Sequence, residues 1–204
     1  MSPTEPTKIA GWIQDLADAR ARVRIDAFRN LRNQGLALCA GALGSWKRDP
    51  GFCELLCRVS HSLPDADSND DSIVVGIAVT PERFERIRTA NGSPNLSSVP
   101  SNQDASEYEL NFPGDLNFDI LTTRDLAGPG AIARFLRKFG EGIQQIEVYV
   151  RNVDRATEIL LTRFAIMPIY PTTQSGAEGS RVNFFLVPAA DGKKVLVERV
   201  EPAG

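Results

Sequence analysis

The sequence predicts an α+β fold in which a small helical region precedes two modules built mainly of strands. Toward the N-terminus, apolar residues recur with a spacing near 3.6, which is typical of amphipathic helices. Beyond residue 72 the chain changes to continuous apolar runs and short alternating segments, which are typical of strands. A β-α-β-β-β order then occurs twice. The predicted boundaries are 1–63 for a helical cap, 64–72 for an acidic linker, and about 73–128 and 129–202 for the two modules.

Four helices are predicted in the helical cap. Gly35 follows Arg32 and Asn33 and predicts the end of the second helix. A third helix is predicted from Leu36 to Trp46, before the turn signal Asp49-Pro50-Gly51. The inward faces of the first, second and fourth helices are predicted to be Ile9, Trp12, Ile13 and Leu16; Val23, Ala27, Phe28 and Leu31; and Phe52, Leu55, Leu56 and Val59.

The second helix carries a pattern that resembles a HEAT repeat. Val23-Arg24 with Ala27 and Leu31 matches V-R-x-x-A-x-x-x-L, and Leu16-Ala17-Asp18 precedes it. The likeness covers about 25 residues, whereas stacked repeats need several units to be stable. Two interpretations follow: a cap that packs on the rest of the chain, or a surface at which these helices bind a protein partner.

Cys53, Cys57 and His61 form a C-x-x-x-C-x-x-x-H pattern, with Cys39 upstream, that could suggest a zinc site. On one helix the first and last of these positions would lie about 12 Å apart along the axis, whereas Zn–S and Zn–N bonds are about 2.0–2.3 Å long. We therefore interpret the three cysteines as reduced thiols in apolar helical surroundings, not as metal ligands or a disulfide framework.

Composition excludes several classes of function. The formal net charge is −3, whereas a protein that binds a nucleic-acid backbone normally carries a basic excess. No apolar run reaches the roughly 20 residues that span a bilayer. The N-terminus lacks the basic start and apolar core of a signal peptide. We expect a cytoplasmic, bacterial protein with no nucleic-acid or membrane partner.

The first module is predicted to begin with the buried strand Ile73–Val79. Thr80-Pro81 then starts a helix, with Thr as the N-cap and Pro in the first turn. Residues 91–106 are rich in Gly, Ser, Asn and Pro, which predicts a long loop or a weak edge strand. Two strands over about 107–112 and 116–122 complete the module.

The second module repeats this plan after a helix at Pro129–Phe139, which Gly140 closes. Its predicted elements are, in order, a strand at Ile143–Val150, a helix at about Val153–Arg163, a short strand near Met167–Tyr170, a Gly/Ser loop at Gln174–Gly179, and strands at about Arg181–Val187 and Lys194–Val200.

Three segments of the second module carry the motifs of a known family. The apolar helix Ala131–Leu136 precedes Gly142-Ile143-Gln144-Gln145-Ile146, which is similar to a G-[IL]-x-x-[IM] strand. Residues 179–184 match the pattern G-x-R-[IV]-[NA]-F. In the last predicted strand, Glu198 is similar to the glutamate of an I-E-L motif. The chain thus resembles the vicinal-oxygen-chelate (glyoxalase/bleomycin-resistance) superfamily and, within it, the methylmalonyl-CoA epimerases. The resemblance implies paired modules that form a curved mixed sheet around a cavity. It gives Arg181 and Asn183 a role in strand pairing or in ligand contact.

The resemblance also implies a divalent metal ion held by one side chain from each of four strands. These four positions are Val74, Asp119, Gln145 and Glu198. Valine cannot ligate a metal, and glutamine is a poorer ligand than imidazole for transition metals. The three oxygen donors would suit Mg²⁺ or Ca²⁺, which need several further ligands. We expect no resident cofactor, and the alternative is a divalent ion (Mg²⁺, Mn²⁺ or Co²⁺) bound by Asp119, Gln145 and Glu198.

Strand alternation predicts which residues share the cavity wall. The predicted cavity-lining residues are Val74, Asn117, Gln145 and Tyr149. The candidate catalytic residues are the carboxylates Glu198, Asp119 and Glu147, which could move a proton in a low-dielectric cavity. Epimerisation next to a thioester carbonyl also needs a group that stabilises the enolate, and the sequence shows no obvious one. The same residues could instead be relics that bond to one another and to water.

Two hypotheses of function follow. The first is an epimerase-like protein with a degenerate metal site that binds a small molecule of acyl-CoA or 2-oxo type, with divergent lyase or isomerase activity as an extension. The second is a non-catalytic interaction protein that binds a partner through its N-terminal helices. An open pocket around Asp119, Gln145 and Glu198 would favour the first hypothesis. Exposed apolar residues on the first two helices would favour the second. The resemblance also suggests a homodimer.

Overall fold

The computed structural model describes residues 5–57, 72–112, 116–189 and 192–203. The predicted linker, except Ser72, and the predicted positions of Val59 and His61 lie outside these residues. The described chain divides into two units. The first unit holds the residues up to Gly35 together with Val75–Gln144, and the second holds Leu36–Val74 together with the residues from Gln145 onward.

Each unit combines helices with a mixed set of paired strands, which confirms the predicted α+β class. The helices are α1 (Glu5–Asp15), α2 (Ala21–Arg48), α3 (Pro50–Cys53), α4 (Pro81–Ala90), α5 (Ala131–Phe139) and α6 (Val153–Phe164). The strands are β1 (Ile73–Ala78), β2 (Ser106–Phe112), β3 (Leu116–Thr122), β4 (Gly142–Tyr149), β5 (Gln174–Ser175), β6 (Arg181–Pro188) and β7 (Lys194–Glu201).

The two modules have the same strand topology. In the first module, β1 runs parallel to β3, and β3 runs antiparallel to β2. In the second, β4 runs parallel to β7, and β7 runs antiparallel to β6. Parallel strands need a long crossover connection, and the chain that contains α4 or α6 supplies it in each module. The repeat predicted from the sequence is therefore present in the strand pairing.

Gly35 does not end a helix, because α2 runs without a break from Ala21 to Arg48. The predicted second and third helices are one element. A glycine inside a helix costs only about 1 kcal/mol relative to alanine, and burial of one apolar stripe outweighs that cost. The buried residues of this stripe are Ala27, Phe28, Leu31, Cys39, Leu43 and Trp46.

The predicted fourth helix is reduced to the single turn of α3. The Asp49 carboxylate caps it by accepting a hydrogen bond from the Phe52 backbone N–H at 2.9 Å. Beyond it the chain turns into an extended segment: Leu56 forms a β-bridge with Val150, and the Cys57 N–H donates to the Tyr149 carbonyl. Pairing with β4 therefore overrides the helical spacing of the apolar residues here.

The module elements lie close to their predicted positions, with two exceptions. The predicted strand at Met167–Tyr170 is only an isolated bridge between Pro168 and Phe185, because proline has no N–H for a β-ladder. The predicted Gly/Ser loop at Gln174–Gly179 contains the short strand β5 and a turn of 3-10 helix at Ala177–Gly179. The antiparallel pairing of β5 with β6 holds this segment, which has little strand propensity of its own.

The long loop after α4 is confirmed, since residues 91–105 contain no helix or strand. It is attached to β2 by a hydrogen bond from the Ser97 N–H to the Glu107 carbonyl at 2.9 Å. The Asn91 side chain ties the start of the loop to the N-terminal helices, because its Nδ2 donates to the Leu16 carbonyl at 2.9 Å.

The Tyr108 hydroxyl makes a buried hydrogen bond in the first unit. It donates to the Phe84 carbonyl at 3.0 Å, and burial raises the pKa of the phenol. Tyr108→Phe is expected to lower the free energy of unfolding by about 1 kcal/mol, measured by urea denaturation at pH 7. Because the folded pKa is raised, the wild type loses stability through this group as the pH rises above about 10. Tyr108→Phe should show a shallower loss in that range, and an equal slope for both proteins would contradict the assignment.

Within the described residues, no helix has both the length and the apolar character that a membrane span needs. None of the three cysteines, all of which are described, forms a disulfide.

Candidate functional site

Three buried polar side chains meet on one face of β4 and β7 in the second unit. Gln145 and Glu147 alternate along β4, and the parallel register places Glu198 of β7 opposite Glu147. Their exposed fractions are 6%, 6% and 8%, respectively. Side chains this buried require hydrogen-bond partners within the protein.

One amide nitrogen joins the two carboxylates. Gln145 Nε2 donates to Glu147 Oε1 at 2.8 Å and to Glu198 Oε2 at 2.7 Å. The opposite orientation of the amide would place its oxygen against two carboxylate oxygens, which ionised carboxylates would repel. The half-buried Tyr149 hydroxyl also approaches this group and donates to Glu147 Oε2 at 3.5 Å. The structure therefore brings together four of the residues predicted from the sequence: Gln145, Tyr149, Glu147 and Glu198.

This arrangement gives the site a distinct electrostatic character. Two carboxylates share one neutral donor, and neither lies in bulk water. Like charges in a buried site repel each other, and the shared amide donor lies between the two carboxylates. A carboxylate and a carboxylic acid side by side can respectively accept and donate a proton.

Asp119 lies on β3 in the first unit. One of its neighbours there, Glu109, was not among the site residues predicted from the sequence. Asp119 pairs with Gly76 of β1 and with Glu109 of β2. Opposed residues in a ladder project on the same face of a sheet, so Asp119 and Glu109 form a second pair of adjacent carboxylates. Asn117, which is 5% exposed, lies two residues away on this face. The alternation of Glu107, Glu109 and Asn111 along β2 was the signal that could have identified Glu109.

Two of the four positions that the resemblance assigns to metal ligands differ from metal-binding side chains. Val74 is a buried residue of β1 with no ligating atom. Gln145 turns its amide N–H groups, not a lone pair, toward the two glutamates. Within the described residues, no three His, Cys, Asp or Glu side chains are grouped so that they could hold a metal ion. Val74 and the amide donor of Gln145 thus differ from the ligands that the resemblance implies at these two positions.

Arg181 and Asn183 have structural partners in the second unit. Arg181 Nη1 contacts both carboxylate oxygens of Glu201, its partner across β6 and β7, at 3.1 and 3.0 Å. Its Nη2 lies 2.5 Å from Asp154 Oδ2. The Asn183 side-chain oxygen accepts a hydrogen bond from the Phe184 N–H at 2.9 Å. The contacts of Arg181 with Glu201 support the strand-pairing role that the sequence left open for this residue.

Arg199 is a buried cation that sequence reasoning missed. Its side chain is fully buried, with the guanidinium carbon 4.3 Å from the ring centroid of Trp46, 5.2 Å from Phe52 and 5.9 Å from Phe185. Within the described residues, none of its three side-chain nitrogens has a hydrogen-bond acceptor. Burial lowers the pKa of Arg199 to about 9, and the neighbouring Cys39 opposes this in part. An arginine beside a site carboxylate normally faces solvent, so the sequence carried no signal for this burial.

The first unit also contains an open cleft of about 420 Å³ that holds none of the predicted site residues. Arg24 borders this cleft, and its Nε donates a hydrogen bond to Asn91 Oδ1 at 3.0 Å. The remaining lining residues include Glu109, Leu110, Asn111 and Phe112 of β2.

The described residues of α1 and α2 do not show the exposed apolar surface that would favour partner binding. Ile13, Leu16, Phe28 and Leu31 are fully buried. The large exposed apolar residues of the described chain lie elsewhere, at Leu96, Leu126, Phe139, Leu161, Met167, Ile169, Tyr170 and Leu186.

Comparison with known proteins places this geometry in a family. No family model matches the chain, and no curated protein matches it. Among solved structures, the methylmalonyl-CoA epimerase of Mycobacterium tuberculosis is 31% identical, with a TM-score of 0.54 over 71% of this chain and 95% of the epimerase. The chain belongs to the methylmalonyl-CoA epimerase family. That family is part of the vicinal-oxygen-chelate superfamily, as the motifs in the second module predicted.

Two further structures share the epimerase fold. The methylmalonyl-CoA epimerase of Streptomyces coelicolor in complex with 2-nitronate-propionyl-CoA is 22% identical, with a TM-score of 0.50 over 64% of this chain and 96% of that one. A methylmalonyl-CoA epimerase in complex with methylmalonyl-CoA and NH4+ is also 22% identical, with a TM-score of 0.51 over 64% of this chain and 93% of that one.

Proposed function

We propose that this member of the epimerase family binds a small acyl-CoA or 2-oxo compound at a site that works without a metal ion. The single observation that carries the proposal is the hydrogen bonding of Gln145 to Glu147 and Glu198. Two of the ligand positions that the resemblance implies are thereby filled by a neutral donor, Gln145, and an acceptor, Glu198. Both epimerase complexes described above contain an acyl-CoA compound, which supports the choice of ligand.

The chemistry we propose is proton transfer at the carbon next to a carbonyl. One of Glu198 and Glu147 accepts the proton as the C–H bond breaks, and the electron pair moves onto the carbonyl oxygen to form an enolate. The other glutamate, as the acid, returns a proton to that carbon. An enolate also needs hydrogen-bond donors; the side-chain donors that the described site offers are Gln145 Nε2 and the Tyr149 hydroxyl.

A binding experiment without metal tests the proposal. The protein is treated with EDTA and titrated calorimetrically with propionyl-pantetheine, an acyl thioester that lacks a nucleotide. Glu198→Gln and Glu147→Gln keep the shape of the side chain but remove its charge. We expect each to weaken binding by about tenfold, since hydrogen bonds to charged groups are worth about 1.5–3 kcal/mol. Glu158→Gln, at an exposed position of α6, is the matched control and should bind like the wild type.

Deuterium incorporation next to the thioester carbonyl, followed by NMR in heavy water, reports the proposed proton transfer directly. It should proceed in the wild type and stop in Glu198→Gln. Retention of about one Mn²⁺ or Co²⁺ per chain, lost in Glu198→Ala, would instead show a metal site and overturn the proposal.

A further inference from the structure

An apolar surface adjoins the bridged glutamates, Glu147 and Glu198, on the same face of the second-unit strands. The antiparallel register places Phe184 of β6 opposite Glu198 of β7. Leu186 of β6 lies opposite Leu196 of β7, which is two residues from Glu198 on the same strand. Opposed residues, and residues two apart on one strand, project on the same face. The bridged glutamates are therefore bordered by two rows of apolar side chains.

Within the described part of the chain, this apolar surface is accessible. Leu186 is 47% exposed, and Phe184 and Leu196 are half-buried. Their neighbours on the opposite face of the same strands, Phe185 and Val197, are fully buried. The strands thus have one face that belongs to the core and one face that keeps apolar side chains open. Exposed apolar surface beside polar groups is typical of a place where something binds.

The segment after α6 extends the apolar surface beyond β6. Pro168 forms a β-bridge with Phe185, and the Ile169 N–H donates to the Phe184 carbonyl at 2.7 Å. These contacts hold the segment along β6. The Tyr170 ring then meets the Phe184 ring nearly edge-on, with the centroids 6.0 Å apart. Tyr170 is 44% exposed, so its ring continues the open surface that begins at the bridged glutamates.

The cations of β6 and β7 lie away from the bridged glutamates. Arg181 is bound to Glu201, and Arg199 projects on the opposite face, against aromatic rings. Lys194 shares the glutamate face, but it lies at the exposed start of β7, four residues from Glu198 and roughly 13 Å along the strand. A carboxylate on the reacting carbon of a ligand would therefore meet two carboxyl groups and no cation of these described strands. Such contacts between like charges disfavour binding.

We propose that this apolar surface, formed by Tyr170, Phe184, Leu186 and Leu196, receives an uncharged hydrocarbon substituent of the ligand. The reacting carbon lies at the bridged glutamates, and the hydrocarbon chain extends toward Leu186, roughly 7 Å further along the strands. Burial of that chain against apolar side chains favours binding. A ligand that carries a carboxylate on the reacting carbon is disfavoured.

The inference rests on the proposed function, because it takes a carbonyl compound at the bridged glutamates as given and specifies its substituent. The preference sets this chain apart from one of the similar epimerases. The compound bound in that structure, methylmalonyl-CoA, carries a carboxylate on the carbon next to the thioester carbonyl. All the residues that carry the inference belong to the second unit.

A series of acyl-pantetheines of increasing chain length tests the inference. Propionyl-, butyryl- and hexanoyl-pantetheine are titrated calorimetrically into the EDTA-treated protein. The hexanoyl compound should bind roughly tenfold more tightly than the propionyl compound, since a fully buried methylene contributes about threefold and this surface stays partly open. Malonyl-pantetheine is close to butyryl-pantetheine in size but carries a carboxylate. It should bind about tenfold more weakly than butyryl-pantetheine.

Two leucine variants locate the effect. Leu186→Gln keeps the side chain long but makes it polar, so the ratio of hexanoyl to propionyl affinity should fall from about ten to about two. Leu161→Gln is the matched control, because Leu161 lies on α6 and is similarly exposed, at 40%. It should keep the wild-type ratio. Both leucines are exposed, so both variants should fold, which circular dichroism and thermal melts verify.

Equal affinities along the series would overturn the inference, as would an unchanged ratio in Leu186→Gln or tighter binding of the malonyl than of the butyryl compound. A second copy of the chain is the rival occupant. Loss of self-association in Leu186→Gln by analytical ultracentrifugation, together with equal affinities along the series, would assign the surface to that copy. If none of the thioesters binds the wild type, the proposed function fails. If they bind equally and Glu198→Gln weakens them all, only the inference fails.

Discussion

Arg199→Met is expected to make the protein more stable, by about 1–3 kcal/mol in the free energy of unfolding and by roughly 3–10 °C in Tm. Removing a guanidinium from water costs several kcal/mol. No hydrogen-bond acceptor among the described residues offsets that cost. The cation–π contacts of the guanidinium with Trp46, Phe52 and Phe185 stabilise the buried charge by only about 2 kcal/mol. Methionine keeps a similar length and packs well against aromatic rings.

The expected gain does not depend on pH between 6 and 8. Burial lowers the pKa of Arg199 from its usual range to about 9. A base whose folded pKa is lower than its unfolded pKa binds its proton more tightly in the unfolded state. The cost is therefore fully present below about pH 9 and is relieved only as the pH rises above that value toward the ordinary range of an arginine.

Thermal melts and urea denaturation of Arg199→Met and Arg199→Lys measure this effect. The lysine variant keeps the charge but not the planar stack, and its ammonium is more strongly hydrated. It should be less stable than the wild type. A large loss of stability in Arg199→Met would contradict the prediction and would show that a compensating partner makes the charge favourable.

Gln145→Leu is expected to lower the free energy of unfolding by about 3–5 kcal/mol, because it removes the donor shared by two buried charged groups. Glu147 and Glu198 would each lose a hydrogen bond of 2.8 or 2.7 Å. Urea denaturation at pH 7 measures the loss.

Gln144→Leu is the matched control for this substitution. Gln144 precedes Gln145 on β4 and is equally buried, at 8% exposed. Its side-chain oxygen has no hydrogen-bond partner within the described residues. Replacement by leucine should therefore be neutral or stabilising. Equal losses in the two variants would mean that burial of the side chain, and not the bridge between the glutamates, sets the cost.

Periodicity predicted most of the fold because it follows from burial of one face. The β1 run, the Thr80-Pro81 start of α4 and the Gly140 end of α5 all lie where the pattern placed them, to within a residue or two. The errors occur where tertiary contacts override local preference. Packing of one long apolar stripe carries α2 through Gly35, and pairing with β4 draws Leu56 out of a helix.

Strand alternation predicted, for the same reason, which side chains of β4 lie together in the second unit. Residues two apart on a strand must share a face, so Gln145 could be grouped with Glu147 and Tyr149 from the sequence alone. Glu198 was predicted as a site residue from its place in the family motif. Which carboxylates accept from the Gln145 amide depends on the register and the distance between β4 and β7. Neither can be read from the spacing of residues along one strand.

By itself, the sequence determined the α+β class, the repeated module and the residues available at the site, because these depend on local periodicity and residue type. The tertiary structure alone decided three features: the continuity of α2, the amide bridge between Glu147 and Glu198, and the burial of Arg199 beneath Trp46. Each depends on atoms that are far apart in the chain and meet only when the strands and helices pack. Their free energies come from desolvation and short-range contact, which no single segment of sequence encodes.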